Sequence, residues 1–506
     1  MWLIKKDDWQ WLGEFGGLWS ETEEINLGQR AVRSSFIVLI SRFLTKALQF
    51  IRTIVLARLL FPTDFGLFGM AAIALGLIDN FFQTGFYSAI IHKKENARDY
   101  IESAWSFNII RNTLVAVILF FSAPLVGRFF AGNEIVVMLV RVLALPVFII
   151  GFENPGIILW QKELQFKKKS QIDICLVILE MTITITSALV LQSVWALAIG
   201  SVLNRFFAVV LSYLFHPYRP KFLIDWKKIK ELYFYGRWVS VSSIVNFFIG
   251  QGDNLAVGKI LGSAALGFYQ VAFSLGMMPA VEIAKVFGGI LFPLFAKIQN
   301  DKSLLRRTYV RVSSLIFAIT IPASFGLFIL AREITTFVYG PRWSLMVPIL
   351  MILTWVGFLK SFEQVTNSFF LGIGKPAVST GSSSVQLITM SVFIVPLTFS
   401  LGTEGVALTV ALGALFTQLY LLYVLRQEIN LGILGILKTG VEPIVSSLAM
   451  IFSLYLLKQF WPVFSWWSLL VYVVLGVIIY GLILMVVDLC FTKKLKDSLL
   501  WIKENH

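Results

Sequence analysis

The chain has 506 residues, 57% of them hydrophobic and 14% charged, with a mean hydropathy of +0.80, whereas soluble domains carry about 45–50% apolar and about 25% charged residues. A helix needs roughly 20 apolar residues to cross about 30 Å of hydrocarbon, and about fourteen such runs leave no length for a sizeable soluble domain. The net charge of +14 follows from basic loops retained on one side of a membrane, so no nucleic-acid partner is needed to explain it.

Residues 1–30 are tryptophan-rich (Trp2, Trp9, Trp11, Trp19), but Lys5, Lys6, Asp7, Asp8 and Glu14 interrupt them. Without a continuous apolar core or a small-residue cleavage site they do not read as a signal peptide. They read as a cytoplasmic lead, with an interfacial amphipathic helix as the alternative. Apolar runs then predict spanning helices over residues 34–60, 66–91, 104–125, 135–160, 171–191 and 194–215. A basic segment, 217–235, separates these six from six more over residues 236–261, 266–289, 309–337, 344–371, 377–400 and 404–425. Two last runs, 433–457 and 466–490, precede a basic tail.

The expected fold class is therefore all-α: a polytopic membrane protein of about fourteen transmembrane helices, in two pseudo-symmetric six-helix lobes plus two C-terminal helices. The lobes are placed at residues 31–216 and 236–426, with 217–235 a cytoplasmic linker and 427–506 the last two helices and tail. Most Lys and Arg fall in alternate loops, which puts both termini on the cytoplasmic side. Lys167, Lys168, Lys169, Lys227, Lys228, Lys230, Arg306 and Arg307 read mainly as positioning charges facing anionic lipid.

A repeat relates the lobes. Ala57-Arg58-Leu59-Leu60 followed by Gly66-Leu67-Phe68 matches Gly258-Lys259-Ile260-Leu261 followed by Gly267-Phe268-Tyr269 at one shift of 201 residues. Glu153-Asn154 corresponds to Glu363-Gln364 at a shift of 210, so the halves drift apart by only a few loop residues. Both halves hold six helices and run in the same direction, which makes this a parallel repeat about the membrane normal.

Charged side chains inside a bilayer cost about 2.5–3.5 kcal/mol each on insertion scales, so they are functional candidates. On the first helix Arg42, Thr45, Lys46, Gln49, Arg52 and Thr53 share roughly one third of the circumference at 100° per residue. Such a stripe must face protein or water. Asp79, with Asn80, Gln83 and Tyr87 on one side of the second helix, is placed near the depth of Arg42 and Lys46. Two readings stay open: a buried ion pair between Asp79 and Arg42 or Lys46, or a surplus of positive charge that meets an anion such as a pyrophosphate. Arg111 with Asn108 and Asn112, Arg141, Glu180, Asn204 with Arg205, and Glu282 with Lys285 extend the polar set. On the tenth helix Lys360, Glu363, Gln364 and Asn367 form an i, i+3, i+4, i+7 stripe, either a pair or a second cavity wall. Asp253 and Asn254 form a further candidate cation or gating site. Pro146, Pro155, Pro279, Pro322, Pro348 and Pro396 mark places where helices bend.

Cys175 and Cys490 stand far apart and read as free packing thiols, and His92, His216 and His506 fall in loops or the tail, so no metal set is expected. There is no Walker sequence, HExxH or GxSxG, hence neither an enzyme nor a cofactor is expected. Energy for transport would come from an ion gradient or the membrane potential.

The run Arg33–Gly69, containing SRFLTKALQFIRTIVLARLLFPTDFGLFG, resembles the opening helix and first turn of the Wzx-type polysaccharide flippases, in the colanic acid and teichuronic acid branch. Similarity in pattern extends from about Asn26 to the C-terminus. That family belongs to the multidrug, oligosaccharidyl-lipid and polysaccharide exporter superfamily. The resemblance implies a bacterial inner-membrane flippase with alternating access between two six-helix lobes, moving undecaprenyl-pyrophosphate-linked oligosaccharide units for exopolysaccharide or cell-envelope polysaccharide synthesis. By the same resemblance Arg42, Lys46 and Arg52 hold the pyrophosphate or acidic sugars, with Gln49, Asp79, Arg111, Arg205, Lys360 and Glu363 completing the candidate site. Implied partners are the lipid-linked oligosaccharide, membrane lipids, a coupling cation (Na+ or H+) and polysaccharide polymerase machinery. In the related lipid II flippases two extra C-terminal helices form a lipid-tail groove, and residues 433–490 are similar in placement. The tryptophan-rich lead departs from the family's usual short N-terminus. A drug or metabolite antiporter of the same superfamily would favour an acidic cavity. A membrane glycosyltransferase or polymerase would need a large external loop with paired carboxylates or arginines, and a scaffold would not need buried cations.

Overall fold

Long apolar runs dictate helices, even where Pro146, Pro322 or Pro396 lies inside them, because only a helix satisfies its own backbone in lipid. A computed structural model describes residues 21–86, 89–90, 97–162 and 165–487. The lead up to residue 20, Tyr87, His92, Cys490, His506 and the tail lie outside them. In chain order the helices are α1 (Glu21–Leu59), α2 (Pro62–Phe81), α3 (Ala97–Phe129), α4 (Glu134–Ile150), the short α5 (Ile157–Lys162), α6 (Phe166–Leu191) and α7 (Trp195–Phe215). There follow α8 (Trp226–Ile260), α9 (Ser263–Lys297), α10 (Lys302–Ile329), α11 (Val347–Gly372), α12 (Pro376–Ile429), α13 (Ile433–Phe460) and α14 (Trp466–Val487). A π-helical turn, Thr335–Tyr339, and a 3-10 turn, Pro341–Met346, lead into α11. The described residues contain no strand, and the chain is a multi-pass membrane protein.

The 54-residue α12 is two spans in one, since at 1.5 Å per residue it runs about 80 Å. Gly402, at φ 60°, bends it between the two. Nine helices among the described residues are long and apolar enough to cross a membrane. The stripe Arg42, Lys46 and Arg52 keeps α1 out of that set, and an early end at Ile150 keeps out the 17-residue α4.

Local chemistry fixes several boundaries. Pro62 sits in the first turn of α2, where its missing N–H costs nothing. There Asp64 accepts from Phe61 N–H (2.9 Å) and Val194 N–H (3.0 Å), tying the α1–α2 turn to the α6–α7 turn. Asn133 caps α4 by accepting from Ile135 and Val136 N–H.

Packing divides after Gln251, within α8, into two compact units. In the first, α1 lies on α6, with Ser41 Oγ donating to Ser170 Oγ (2.9 Å) and Arg52 paired with Glu180. Residues 217–235 pack on α3: Leu223 N–H donates to Ser106 Oγ (2.9 Å) and Tyr100 OH to Glu231 (2.8 Å).

In the second unit an aromatic core forms around Tyr309, with Phe295, Phe362 and Phe369 in ring contact with it. Here α9 and α11 touch backbone to backbone, since a Cβ on Gly357 would lie 2.6 Å from Gly276 O. Small residues give this close approach in membrane helix pairs. α14 keeps its few polar groups inward, and Tyr480 OH donates to Ala318 O (2.7 Å). Outward-facing Phe43 (79% exposed), Phe121 (75%) and Val190 (82%) are what a lipid-solvated surface requires. Trp466 and Trp467, stacked at 3.8 Å at the start of α14, suit the interfacial level.

Candidate functional site

Two spans read from sequence as continuous are broken, and the breaks line the site. The second was expected over residues 66–91. Instead α2 ends at Phe81, and Gln83–Gly85 are irregular, with Gly85 at φ 65°. The fourth was expected over 135–160. It stops at Ile150, crosses Gly151–Gly156 without helical order and resumes as α5. Pro155 explains the second stop, because proline removes a donor and excludes the helical region for the residue before it.

Each break exposes backbone groups that need partners at membrane depth. At the first, Arg111 on α3 takes that role. Its Nη2 donates to Asp79 O (2.6 Å) and Asp79 Oδ1 (2.5 Å), its Nε to Phe82 O (2.9 Å) and its Nη1 to Asn112 Oδ1 (2.9 Å). A cation on the carbonyls that end a helix is also the sign its dipole favours. Ser240 Oγ on α8 donates to Gln83 O. At the second break, buried Asn154 donates through Nδ2 to Tyr218 O (2.8 Å) and accepts at Oδ1 from Gly156 N–H (2.9 Å). Its own N–H donates to Ser212 Oγ (3.0 Å), and Trp105 Nε1 donates to Glu153 O (3.0 Å).

Between the breaks lie two adjoining clefts in the first unit, which share Asp79, Asn108 and Arg111. The smaller, about 180 Å³, is lined by the first break, Gln83–Phe86. The larger, about 310 Å³, adds Asn112, Glu153, Ser201 and Arg205. Arg205 is exposed into it and acts on Glu153 electrostatically. This cleft holds two cations and two carboxylates, and is therefore polar but balanced.

Of the two readings left open for Asp79, the ion pair with Arg42 or Lys46 is not what forms, because Arg111 occupies that carboxylate. On α1, Arg52 pairs with Glu180, and Asn204 Nδ2 also donates to Glu180 (3.3 Å), joining α1, α6 and α7. Thr53 donates to Gln49 O (2.9 Å), and half-buried Gln49 stays on the stripe. Arg42 and Lys46 are exposed, and Arg42 makes no ion pair among the described residues.

Lys360 and Glu363 lie in the second unit. They pair at 2.7 Å, and Lys360 Nζ also donates to Gln386 Oε1 on α12 (2.6 Å). Gln386, two residues after the Ser382–Ser384 run, was missed, although a polar residue between Val385 and Leu387 is a signal. Glu153 was noted for the repeat and not as a cleft residue. Asp253 is buried, accepting from Tyr269 OH (2.8 Å) and Asn254 N–H (2.8 Å). Arg141 lies over the Phe120 ring at 5.3 Å, an interaction aromatic faces favour. Among the described residues no group of three metal-ligating side chains occurs.

Comparison with known proteins fits this architecture. The chain is 27% identical over 338 residues to the lipopolysaccharide biosynthesis protein WzxC of Escherichia coli (strain K12), covering 66% of this chain and 68% of that one. It is 26% identical over 370 residues to the teichuronic acid biosynthesis protein TuaB of Bacillus subtilis (strain 168), covering 72% and 76%. Among solved structures, the lipid II flippase MurJ in an inward closed conformation superposes with a TM-score of 0.69 at 16% identity, over 90% of this chain and 99% of that one. An inward-facing multidrug resistance MATE transporter of the MOP superfamily gives 0.54 at 16% identity, over 79% and 94%. At these identities the structures speak for the fold alone. The family model described as "Polysaccharide biosynthesis protein" matches residues 55–348, more than half of the chain, which therefore belongs to that polysaccharide biosynthesis family.

Proposed function

We propose that this protein is a flippase that carries undecaprenyl-pyrophosphate-linked oligosaccharide units from the cytoplasmic to the outer leaflet of a bacterial inner membrane. The observation that carries the reading is Arg42, an exposed guanidinium on a spanning helix with no carboxylate partner among the described residues. Glu180 answers Arg52, and Asp79 answers Arg111, so both of those acids are committed elsewhere. A cation left over on a membrane helix is costly unless an anion visits it. Lys46, one turn further along the same stripe, adds an ammonium to that face.

In this reading the pyrophosphate meets Arg42 and Lys46 from the cytoplasm, the sugars enter the polar clefts bounded by Asp79, Arg111, Glu153 and Arg205, and the prenyl chain stays in lipid. Lys360, Glu363 and Gln386 form a polar cluster of their own within the second unit. The broken second and fourth spans are where helices bend as access alternates. Both termini lie in the cytoplasm, the direction is set by an Na+ or H+ gradient or the membrane potential, and polysaccharide polymerase machinery receives the product. The relatives WzxC and TuaB, named for lipopolysaccharide and teichuronic acid biosynthesis, support this substrate class. The test is a vesicle assay with a labelled prenyl-diphosphate oligosaccharide. Arg42→Ala with Lys46→Ala should abolish translocation while membrane insertion and stability persist. Unimpaired flipping in the double variant removes α1 from the mechanism.

A further inference from the structure

At the end of the second unit where α10 begins, a cleft of about 650 Å³ lies between three helix ends. One wall is formed by the opening turns of α10, where Lys302 and Arg306 stand one turn apart and Arg307 follows directly. Asp301 fixes that face: it caps the helix, accepting from Ser303 N–H (2.8 Å) and Leu304 N–H (3.0 Å). The facing wall is a tight connection. α12 ends at Ile429, Asn430 adopts φ 51°, and α13 begins at Ile433, bringing Gly435 and Thr439 to the cleft. Val310, Ile429 and Leu431 make its floor apolar.

The charges do not balance. Glu428 is the one carboxylate in the lining, and it is already taken by Lys375, with Lys302 Nζ 4.0 Å away. Arg306 and Arg307 are exposed and form no ion pair within 4 Å among the described residues; Asp301, outside the lining, feels the Arg307 charge, while Arg306 has no carboxylate in the lining left to meet it. Two adjacent guanidinium forks match the oxygens of a phosphate better than those of any other biological anion of this size except a carboxylate. The apolar floor favours phosphate carried by a lipid, whose first carbons would lie along it.

We propose that this cleft is a binding site for the phosphate group of a membrane lipid, held by Arg306 and Arg307. Two lipids present that chemistry, an anionic phospholipid and a prenyl diphosphate. The inference does not rest on the transport reading, because its test reads binding alone and uses residues distant in sequence from α1.

The experiment is native mass spectrometry of the full chain in detergent, titrated separately with phosphatidylglycerol, undecaprenyl diphosphate and inorganic pyrophosphate. Wild type should retain at least one of the two lipids. Arg306→Gln with Arg307→Gln should lose affinity by about tenfold or more, the scale of one charge-assisted contact. Gly435→Leu tests the same cleft sterically, since a Cβ there meets only the tip of Leu431 at 2.8 Å. It should weaken binding without altering charge. Preference for phosphatidylglycerol assigns a resident lipid, preference for the prenyl diphosphate a substrate, and equal binding a headgroup site that does not discriminate. Because both arginines are exposed, an unchanged circular dichroism spectrum is expected for the double variant. Lipid binding equal in wild type and both variants overturns the proposal, as does binding of inorganic pyrophosphate without either lipid.

Discussion

Arg111 and Arg42 are both arginines on spanning helices of the first unit, yet their surroundings predict opposite results on removal. Arg111 donates to Asp79 Oδ1, Asp79 O, Phe82 O and Asn112 Oδ1. A hydrogen bond from a charged donor contributes about 1.5–3 kcal/mol, but four that act as a unit do not add. The Asp79 side chain is 44% exposed, so its ionic share is discounted toward the surface range of about 0–1 kcal/mol. What remains is the loss of a donor from two carbonyls at a helix break, where water is the sole substitute. Arg111→Ala should therefore destabilise by about 2–4 kcal/mol. Arg42, exposed and without an ion pair, should change stability by no more than about 0.5 kcal/mol when replaced by alanine. The assay is denaturant unfolding in detergent followed by tryptophan fluorescence, run beside the vesicle transport assay. Equal destabilisation by the two substitutions would refute the assignment of Arg111 to structure and Arg42 to substrate, and so would full transport activity in Arg42→Ala.

Other consequences follow from single contacts. A Cβ on Gly236 would lie 1.9 Å from Thr84 O, so Gly236→Ala must push α8 off the first break, and a drop in midpoint denaturant concentration should report it; an unchanged midpoint would mean the break can yield. Lys360→Ala strands Glu363, which is 15% exposed, and should cost about 3 kcal/mol, whereas the triple change Lys360→Met, Glu363→Leu and Gln386→Leu, which also removes the buried acceptor of the Lys360 ammonium, should be close to neutral; comparable losses in both would show that the polar cluster itself stabilises. The hydrogen bonds from Leu304 N–H and Ser303 hold the Asp301 carboxyl below its ordinary range. A lowered folded-state pKa stabilises above the unfolded value and is lost as pH falls through the folded one. The stability gap between wild type and Asp301→Ala should thus be full at neutral pH and close in acid, below the usual aspartate range; a gap that widens on acidification would reverse the sign.

The membrane fold was legible because the physics that selects it acts on composition. Apolar runs near the bilayer thickness admit only helices, and each expected span has a helical counterpart. The breaks were not legible from hydropathy, which weighs side chains and is blind to backbone bonding. Their signals were local: Gln83-Thr84-Gly85 in the second span, and Gly151, Pro155 and Gly156 in the fourth. The partner of Asp79 needed the neighbouring helix, since Arg111 on α3 joins its carboxylate to Phe82 O at the break. Lys360 and Glu363 were placeable from spacing alone, as an i, i+3 pair needs no tertiary knowledge. Gln386 and Glu153 needed the neighbouring helix, which periodicity does not supply.

The distribution of charge then constrains how a substrate with a pyrophosphate and neutral or acidic sugars would divide itself over the first unit. In the larger cleft Arg111 faces Asp79 and Arg205 acts on Glu153, so an anion entering there must displace a carboxylate from its cation, a loss that offsets most of the gain. Hydroxyl-rich sugar rings carry no such conflict, since they donate to carboxylates and accept from guanidiniums without separating either pair. Positive charge without a carboxylate partner is available at Arg42, outside those clefts. Under the proposed function, the arrangement with the least charge conflict would put phosphate at α1 and sugar at the helix breaks. Arg205→Ala should accordingly alter discrimination between sugar units more than affinity for prenyl diphosphate, and Arg42→Ala the reverse. Competition of each variant's transport by sugar-free prenyl diphosphate separates the two, and identical inhibition constants in both variants would dissolve the division.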